Sequence, residues 1–219
     1  MLLAAVGCGR GESPALATLA DSASYAVGMN MGHQLQQVRE DVNLEQVIQG
    51  LRDMVDQKTG RLTIEEAQRV MQSYGGQLQQ KHAERQQALA DSNKAAGDAY
   101  RAENAKHEGV DTTGSGLQYE VLTPGNGPRP TADDMVRVHY RGTLIDGTEF
   151  DSSMEGDPVS FQVSGVIPGW TEGLQLMPVG SKYRFVIPPE LAYGVMGSAP
   201  DIGPNATLIF EVELVGIGQ

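Results

Sequence analysis

Apolar residues in the first half of the chain recur at the three- and four-residue spacing of one helix face. The clearest stripe consists of Val47, Leu51, Met54 and Val55 and predicts a helix over about 44–57, with Asn43 as its cap. A helix ahead of it is predicted over about 21–37, capped by Asp21 or Ser22. In that earlier helix Gly28 and Gly32 share a face, which would let another helix approach closely.

The third predicted helix is much longer. Thr63 and Glu66 have the spacing of a capping box, and no strong helix breaker follows until Gly109. The pattern therefore predicts a helix of roughly 45 residues, about 70 Å long at 1.5 Å per residue. Its apolar stripe fades after Leu78, so the remainder is predicted to be a polar spacer. Three such helices make a thin core, which favours a homodimer assembled through residues 21–80.

Strict alternation of apolar and polar residues replaces helical spacing in the second half and predicts half-buried strands. The alternating segments are Val136–Tyr140, Tyr183–Ile187 and Leu208–Leu214. Asp146-Gly147 predicts a two-residue hairpin turn. The helical spacing of Trp170, Leu174 and Met177 predicts a two-turn helix, so we expect four to six strands curled over a short helix.

These patterns predict an α+β chain with three regions. Residues 1–20 are a signal-like or disordered N-terminus, and residues 21–110 form an all-helical dimerisation arm with a long linking helix. Residues 111–219 form an antiparallel β-sheet wrapped around a short helix. No proline lies between Ala15 and Thr123, which agrees with a helical first half because proline costs ~3 kcal/mol inside a helix.

Charge and cysteine content exclude several classes of protein. The formal net charge is −12, which argues against nucleic acid as a partner and against unaided adsorption to anionic lipid. With one cysteine the chain forms no internal disulfide and no multi-cysteine zinc site. No apolar run approaches the ~20 residues of a membrane span.

Three segments of the second half carry a resemblance: VHYRGTLIDGTEFDSS, VIPGWTEGLQLMPVG and LAYG followed by IGPNATLIFEVELVGI. In this order they resemble an FKBP-type peptidyl-prolyl cis/trans isomerase domain spanning about Gly116–Ile217. The segment SYAVGMNMGHQL and the two helices after it resemble the dimerising arm of the macrophage infectivity potentiator subfamily. The resemblance implies a V-shaped dimer of the bacterial cell envelope with a catalytic domain at each tip.

The resemblance also implies the site residues. The catalytic set is Tyr140, Phe150, Asp151, Trp170 and Tyr193, and the substrate- or inhibitor-binding set is Val166, Ile167, Phe210 and Val159. In this set the Ile167 N–H and the Tyr193 phenol are donors, and Trp170 is the floor. A buried Asp151 would need a partner such as Tyr140 or a backbone N–H. Phe161 and Phe185 are interpreted as core, and His139 as a surface residue.

The residues themselves point to chemistry without bond cleavage. The four histidines have no neighbouring ligand or nucleophile at a recognisable spacing, and neither a phosphate loop nor a metal motif is present. Rotation about an X-Pro amide needs no metal and no cofactor, and the expected partners are X-Pro segments of folding or unfolded proteins and rapamycin-type macrolides. The alternative is a chaperone whose arm binds unfolded chains through Met29, Met31, Met54 and Met71, with isomerisation incidental.

The first residues of the chain suggest where in the cell the protein is located. The apolar run Leu2–Val6 is followed by Gly7-Cys8-Gly9, which resembles a bacterial lipoprotein cleavage site and makes Cys8 a candidate for lipidation. The run is short, so Met1 can lie inside a longer signal sequence. The alternative is a disordered tail with an incidental cysteine. We expect the periplasm or outer membrane rather than the cytoplasm.

Overall fold

The computed structural model describes residues 15–36, 38–58 and 60–218, so Cys8 lies outside the described residues. By its contacts the chain divides into two compact units, with the division after Gln72. The predicted α+β class is confirmed, because helices come first and an antiparallel sheet with a short helix follows. No helix within these ranges is long and apolar enough to cross a membrane.

The first unit contains α1 (Leu19–Gln36), α2 (Leu44–Val55) and the beginning of α3 (Ile64–Asn104). The predicted caps of α2 and α3 both form. Asn43 Oδ1 accepts hydrogen bonds from the N–H groups of Glu45 and Gln46, at 3.0 and 3.3 Å. The Thr63 N–H donates to Glu66 Oε2 at 2.8 Å, and the Glu66 N–H donates to Thr63 Oγ1 at 3.2 Å. Each bond satisfies a donor that the first helical turn leaves free.

Helix α1 begins earlier than predicted, and its cap differs. The Thr18 N–H donates to Asp21 Oδ2 at 2.8 Å, and the Asp21 N–H donates to Thr18 Oγ1 at 3.1 Å. Thr18 therefore caps the helix, and Asp21 is the acidic partner inside the first turn. The prediction of Asp21 or Ser22 as the cap was wrong, because the reciprocal pair starts three residues upstream.

Helices α1 and α2 bury none of their described side chains. Several large apolar residues on them face solvent, among them Tyr25, Val27, Met29, Met54 and Val55. Met54 is 67% exposed and Val55 is 78% exposed. The apolar stripes that predicted these helices therefore lack a covering layer within the described part of the chain.

The second unit is built on a sheet of seven strands among the described residues, against the four to six predicted. The strands are β1 (Val110–Thr112), β2 (Gln118–Thr123), β3 (Met135–Leu144), β4 (Glu149–Ser152), β5 (Val159–Gln162), β6 (Lys182–Ile187) and β7 (Leu208–Ile217). Their spatial order is β1-β2-β6-β7-β3-β4, and β5 also pairs with β3. The three alternating segments are confirmed as β3, β6 and β7, the central antiparallel strands.

The turn between β3 and β4 is one residue longer than predicted. The Leu144 N–H donates to the Thr148 carbonyl at 2.9 Å, which leaves Ile145, Asp146 and Gly147 in the loop. Gly147 has φ 88°, a left-handed conformation that side chains with a Cβ disfavour. The Asp-Gly pair therefore marks the hairpin, but as a three-residue loop that ends on glycine.

Helix α4 (Pro168–Leu176) packs against the inner face of the sheet. Trp170, Leu174 and Met177 are buried, as their spacing predicted. They join inward-facing residues such as Val138 and Phe185 in the core. This packing places the start of α4 beside a cleft that Tyr140 and Phe210 also line.

Most of α3, from Ser73 to its end, belongs to the second unit. The prediction of a polar spacer was wrong there, because Ala90, Gly97 and Asn104 are buried. Asn104 Nδ2 donates to Gln118 Oε1 at 2.9 Å, a bond between two buried side chains. The helix ends at Asn104 rather than at Gly109. Small and amide side chains make this contact, so it leaves no apolar stripe in the sequence.

Candidate active site

A cleft of about 470 Å³ opens in the second unit between the sheet and the start of α4. Its lining residues are Tyr140, Asp151, Phe161, Gly165, Val166, Ile167, Trp170, Tyr193 and Phe210. The volume lies within the ~300–1,000 Å³ of small-molecule sites. The cleft brings together seven of the nine side chains named from the sequence, drawn from three strands, α4 and two loops far apart in the chain.

Strand alternation aims three aromatic rings at this cleft. Tyr140 and Phe210 lie on the neighbouring strands β3 and β7, and both point to the buried face. Phe161 on β5 lines the same cleft, where the sequence had assigned it to the core. The available signal was its position two residues after Val159 on a strand, which puts both side chains on one face. Trp170, 4% exposed, forms the floor from the first turn of α4.

The four rings meet edge to face around Trp170. Its ring centroid lies 5.2 Å from that of Tyr140 and 5.2 Å from that of Phe210, with interplanar angles of 85° and 82°. Phe161 lies 5.7 Å away at 82°. Such arrangements set the positive edge of one ring against the negative face of another. They give the cleft rigid apolar walls. The Trp170 indole N–H is buried and has no hydrogen-bond partner among the described residues.

A hydrogen bond at the rim adds polarity. The Tyr140 hydroxyl donates to Asp151 Oδ2 at 2.7 Å, which confirms the expected partner of Asp151. Asp151 is exposed rather than buried, so its carboxylate keeps contact with water. Burial of the phenol, its bond to Asp151 and the charge of that carboxylate raise the pKa of Tyr140 well above its usual value of ~10. The phenol therefore stays protonated and remains a donor.

The loop before α4 presents backbone to the cleft. The Ile167 carbonyl accepts from the N–H groups of Trp170 and Thr171 at 2.9 and 3.0 Å, which opens the helix. The N–H of Ile167 donates no hydrogen bond within the described part of the chain. Val166 and Ile167 thus border the cleft with a free donor for a ligand carbonyl.

Tyr193 closes the cleft from the loop after β6. Its side chain is 41% exposed, and the short 3-10 turn Gly194–Met196 follows it. Two other predicted residues lie behind the lining. The Phe150 ring packs on Phe210 at a centroid distance of 5.5 Å, and Val159 is half-buried against the core. His139 points to the opposite face of β3 from Tyr140.

The cleft offers little to a metal. Among the described residues no three His, Cys, Asp or Glu side chains cluster as metal ligands would. Asp151 is the only carboxylate among the lining residues, and its Oδ2 already accepts from Tyr140. The arrangement can bind an apolar segment, hold carbonyls by hydrogen bonds and exclude water.

Comparisons with known proteins match this architecture. A family model described as "FKBP-type peptidyl-prolyl cis-trans isomerase" matches residues 127–215, and one described as the domain amino-terminal to it matches residues 20–121. A probable FKBP-type peptidyl-prolyl cis-trans isomerase FkpA of Neisseria meningitidis is 47% identical over 90% of this chain and 74% of its own length. The chain belongs to the FKBP-type peptidyl-prolyl cis-trans isomerase family.

Two further matches bear on the subfamily. The outer membrane protein MIP of Legionella longbeachae is 40% identical over 94% of this FKBP-type chain and 89% of its own length. The crystal structure of FkpA from Escherichia coli, 38% identical, matches with a TM-score of 0.75 over 93% of this chain and 98% of that one. The protein is therefore a peptidyl-prolyl cis-trans isomerase related to the macrophage infectivity potentiators, with both the arm and the isomerase domain.

Proposed function

We propose that this isomerase accelerates X-Pro rotation in its aromatic cleft without forming a covalent intermediate. The barrier of ~18–20 kcal/mol arises from amide resonance, which the twisted transition state has lost. That state is less polar than the planar amide, so transfer out of water favours it. The observation that carries the proposal is the edge-to-face cage around Trp170, an apolar floor walled by three further rings.

Each residue then has a defined part. The prolyl ring lies on Trp170, between Tyr140 and Phe210, with Phe150 supporting the far wall. The free N–H of Ile167 and the phenol of Tyr193 donate to substrate carbonyls. Asp151 holds the Tyr140 ring in position through their hydrogen bond. Val166 and Val159 complete the apolar surround, and rapamycin-type macrolides compete with peptide for the same cleft.

We also propose that two chains associate through residues 21–80. The support is the exposed apolar side chains of α1 and α2, since Tyr25, Val27, Met54 and Val55 are all more than half exposed. A second copy would cover this area, as the core of a small helical domain requires. In such a dimer, Gly28 and Gly32 on the α1 helix of each chain would leave room for close approach. No atom lies within 4 Å of a Cβ added at either glycine.

The clients we propose are folding or unfolded proteins of the bacterial envelope. One relative is named as an outer membrane protein, and it matches nearly the whole chain. The protein would act in the periplasm or at the outer membrane, held there by lipid on Cys8. Mass spectrometry of the native protein tests this placement, since an acylated Cys8 at the mature N-terminus gives a defined mass increase.

A chaperone role is the second candidate. Met29, Met54 and Met71 are each more than half exposed on the arm, and flexible thioethers suit varied apolar clients. Such a role would reside in the first unit and would not need the cleft.

One experiment separates the two roles. The full chain and its Tyr193→Ala variant are assayed for relaxation of a short X-Pro peptide and for suppression of aggregation of a proline-free client. We expect Tyr193→Ala to lower kcat/KM by roughly ten- to a hundredfold, the worth of a hydrogen bond plus aromatic packing. Its aggregation suppression should match wild type.

His139→Ala is the matched control, since it removes a ring from the opposite face of β3. It should change kcat/KM little, and circular dichroism should show both variants folded. If His139→Ala strongly lowers kcat/KM while Tyr193→Ala leaves it unchanged, the cleft is not the active site. If the full chain strongly suppresses aggregation but isomerises the peptide only weakly, the chaperone role is the principal one.

A further inference from the structure

The C-terminal part of α3 presents one face to the rest of the second unit. Ala90, Asn93, Gly97, Tyr100 and Asn104 follow each other at intervals of three and four residues, which places them on one side of the helix. All of them are buried or half-buried, whereas most of their neighbours on α3 are exposed. The face is made of small and amide side chains and one tyrosine, whose hydroxyl accepts from Arg184 at 2.6 Å, so contacts with the domain depend on close approach and hydrogen bonds.

Part of this face contacts the loop that carries Tyr193. We call residues 193–205 the flap. Asn93 Nδ2 donates to the Pro204 carbonyl at 2.8 Å, and Asn205 Nδ2 donates to the Ala90 carbonyl at 3.4 Å. The Asn205 N–H donates to the Gly194 carbonyl at 2.9 Å. Two hydrogen bonds therefore connect α3 to the end of the flap. A third connects that end to Gly194, the residue after Tyr193.

Further constraints act on the backbone of the flap, since the Gly197 N–H donates to the Tyr193 and Gly194 carbonyls at 3.2 and 3.4 Å and Ile202 is buried in the core. The side chains near Tyr193 are exposed, with Val195 at 71% and Met196 at 84%. Inside the flap Ser198 and Ile202 form an isolated bridge. The position of Tyr193 is therefore set by the backbone of the flap, and α3 holds one end of that backbone.

We propose that α3 positions Tyr193 for catalysis and that Asn93 is the positioning residue. Removing its amide leaves the Pro204 carbonyl without its donor in a buried segment and frees the end of the flap. If the flap is freer, Tyr193 adopts more orientations. The catalytic rate then falls, because the Tyr193 phenol is less often oriented to donate to the substrate. The inference rests on the proposed role of Tyr193, and it makes the linking helix part of the active-site machinery.

The test uses the full chain and a matched pair of variants. Asn93→Ala and Asn104→Ala make the same change on the same face of α3, but Asn104 donates to Gln118, away from the flap. Asn104 is 5% exposed, so its variant should lose at least as much stability. We expect Asn93→Ala to lower kcat/KM for a short X-Pro peptide by roughly three- to tenfold, against less than about 1.5-fold for Asn104→Ala. Asn93→Asp, which keeps the shape and loses the donor, should resemble Asn93→Ala.

A double variant shows whether the effect passes through Tyr193. In the Tyr193→Ala background, Asn93→Ala should change kcat/KM by less than about 1.5-fold, because the group it positions is absent. An equal loss in both backgrounds overturns the inference, as does a loss that tracks thermal stability equally for Asn93→Ala and Asn104→Ala. Wild-type activity of Asn93→Ala beside a crippled Tyr193→Ala overturns this inference alone. A Tyr193→Ala variant with normal activity overturns the proposed site as well.

Discussion

At the rim of the cleft the Tyr140 hydroxyl on β3 donates a hydrogen bond to Asp151 Oδ2 on β4. The Tyr140 ring is almost wholly buried, while Asp151 reaches solvent. The pair therefore fixes one aromatic wall without placing a charge in the apolar interior, where an unpaired carboxylate would be costly. This arrangement explains how a residue typical of surfaces can belong to an apolar site.

The raised pKa of Tyr140 leads to a pH prediction. A folded-state pKa above the unfolded value of ~10 gives stability that is fully present below pH ~10 and is lost as the pH rises further. The difference in unfolding free energy between wild type and Tyr140→Phe, about 1 kcal/mol for one hydrogen bond, should be constant from pH 6 to 9 and shrink above about pH 10. Urea unfolding across this range measures it. A difference that already disappears between pH 7 and 9 contradicts the prediction.

At the scale of elements, α3 changes its character along its length. Its first turns carry exposed apolar residues such as Ile64, Val70 and Met71, whereas Ala90, Gly97 and Asn104 are buried within the second unit. Gly97 is the point of closest approach, because a Cβ there would collide with the Thr207 hydroxyl and lie 3.1 Å from Thr207 Cβ. A glycine that weakens an isolated helix is therefore required by the packing.

The two neighbouring positions 96 and 97 test this contact. Ala96 is exposed, so Ala96→Gly should cost only the helix propensity, about 1 kcal/mol. Gly97→Ala would gain a similar amount if space were available. We expect it instead to lower the unfolding free energy by about 1–3 kcal/mol, since Thr207 is buried and overpacking forces a shift. Denaturant unfolding of both variants decides the matter, and a stabilised Gly97→Ala would rule out the close contact.

At the scale of the molecule, the two units differ in how complete they are. The second unit has a continuous core of buried residues on α4 and the sheet, among them Leu174, Phe185 and Val212. In the first unit, α1 and α2 bury no described side chain. A unit without a core of its own needs a partner surface, which motivates the proposed dimer.

A charge among the exposed apolar side chains of α2 should break the dimer. Light scattering of the wild-type protein should give about twice the chain mass of 23.4 kDa. Met54→Glu places a carboxylate where we expect burial and should shift the chain to monomer at micromolar concentration. Gln46→Glu adds the same charge on the polar side of α2 and should leave the dimer intact. A monomeric wild type, or equal behaviour of the two variants, contradicts the interface.

The amino-acid sequence alone determined the three central strands, two of the helix caps and the family. The alternation that predicted β3, β6 and β7 and the caps Asn43 and Thr63 are local signals, because they depend on side chains a few residues apart. The motifs around Tyr140, Trp170 and Tyr193 carried the resemblance, and their side chains meet in one cleft.

Only the tertiary structure decided which of these residues face the cleft and what α3 does. The sequence assigns Phe150 to the site and Phe161 to the core, yet Phe161 lines the cleft and Phe150 packs behind Phe210, because strand pairing fixes the face that each strand shows. The hydrogen bond from Asn93 to Pro204 joins residues 111 positions apart. An amide on a polar helix surface carries no periodic signal, so its partner becomes visible only when the chain folds back on itself.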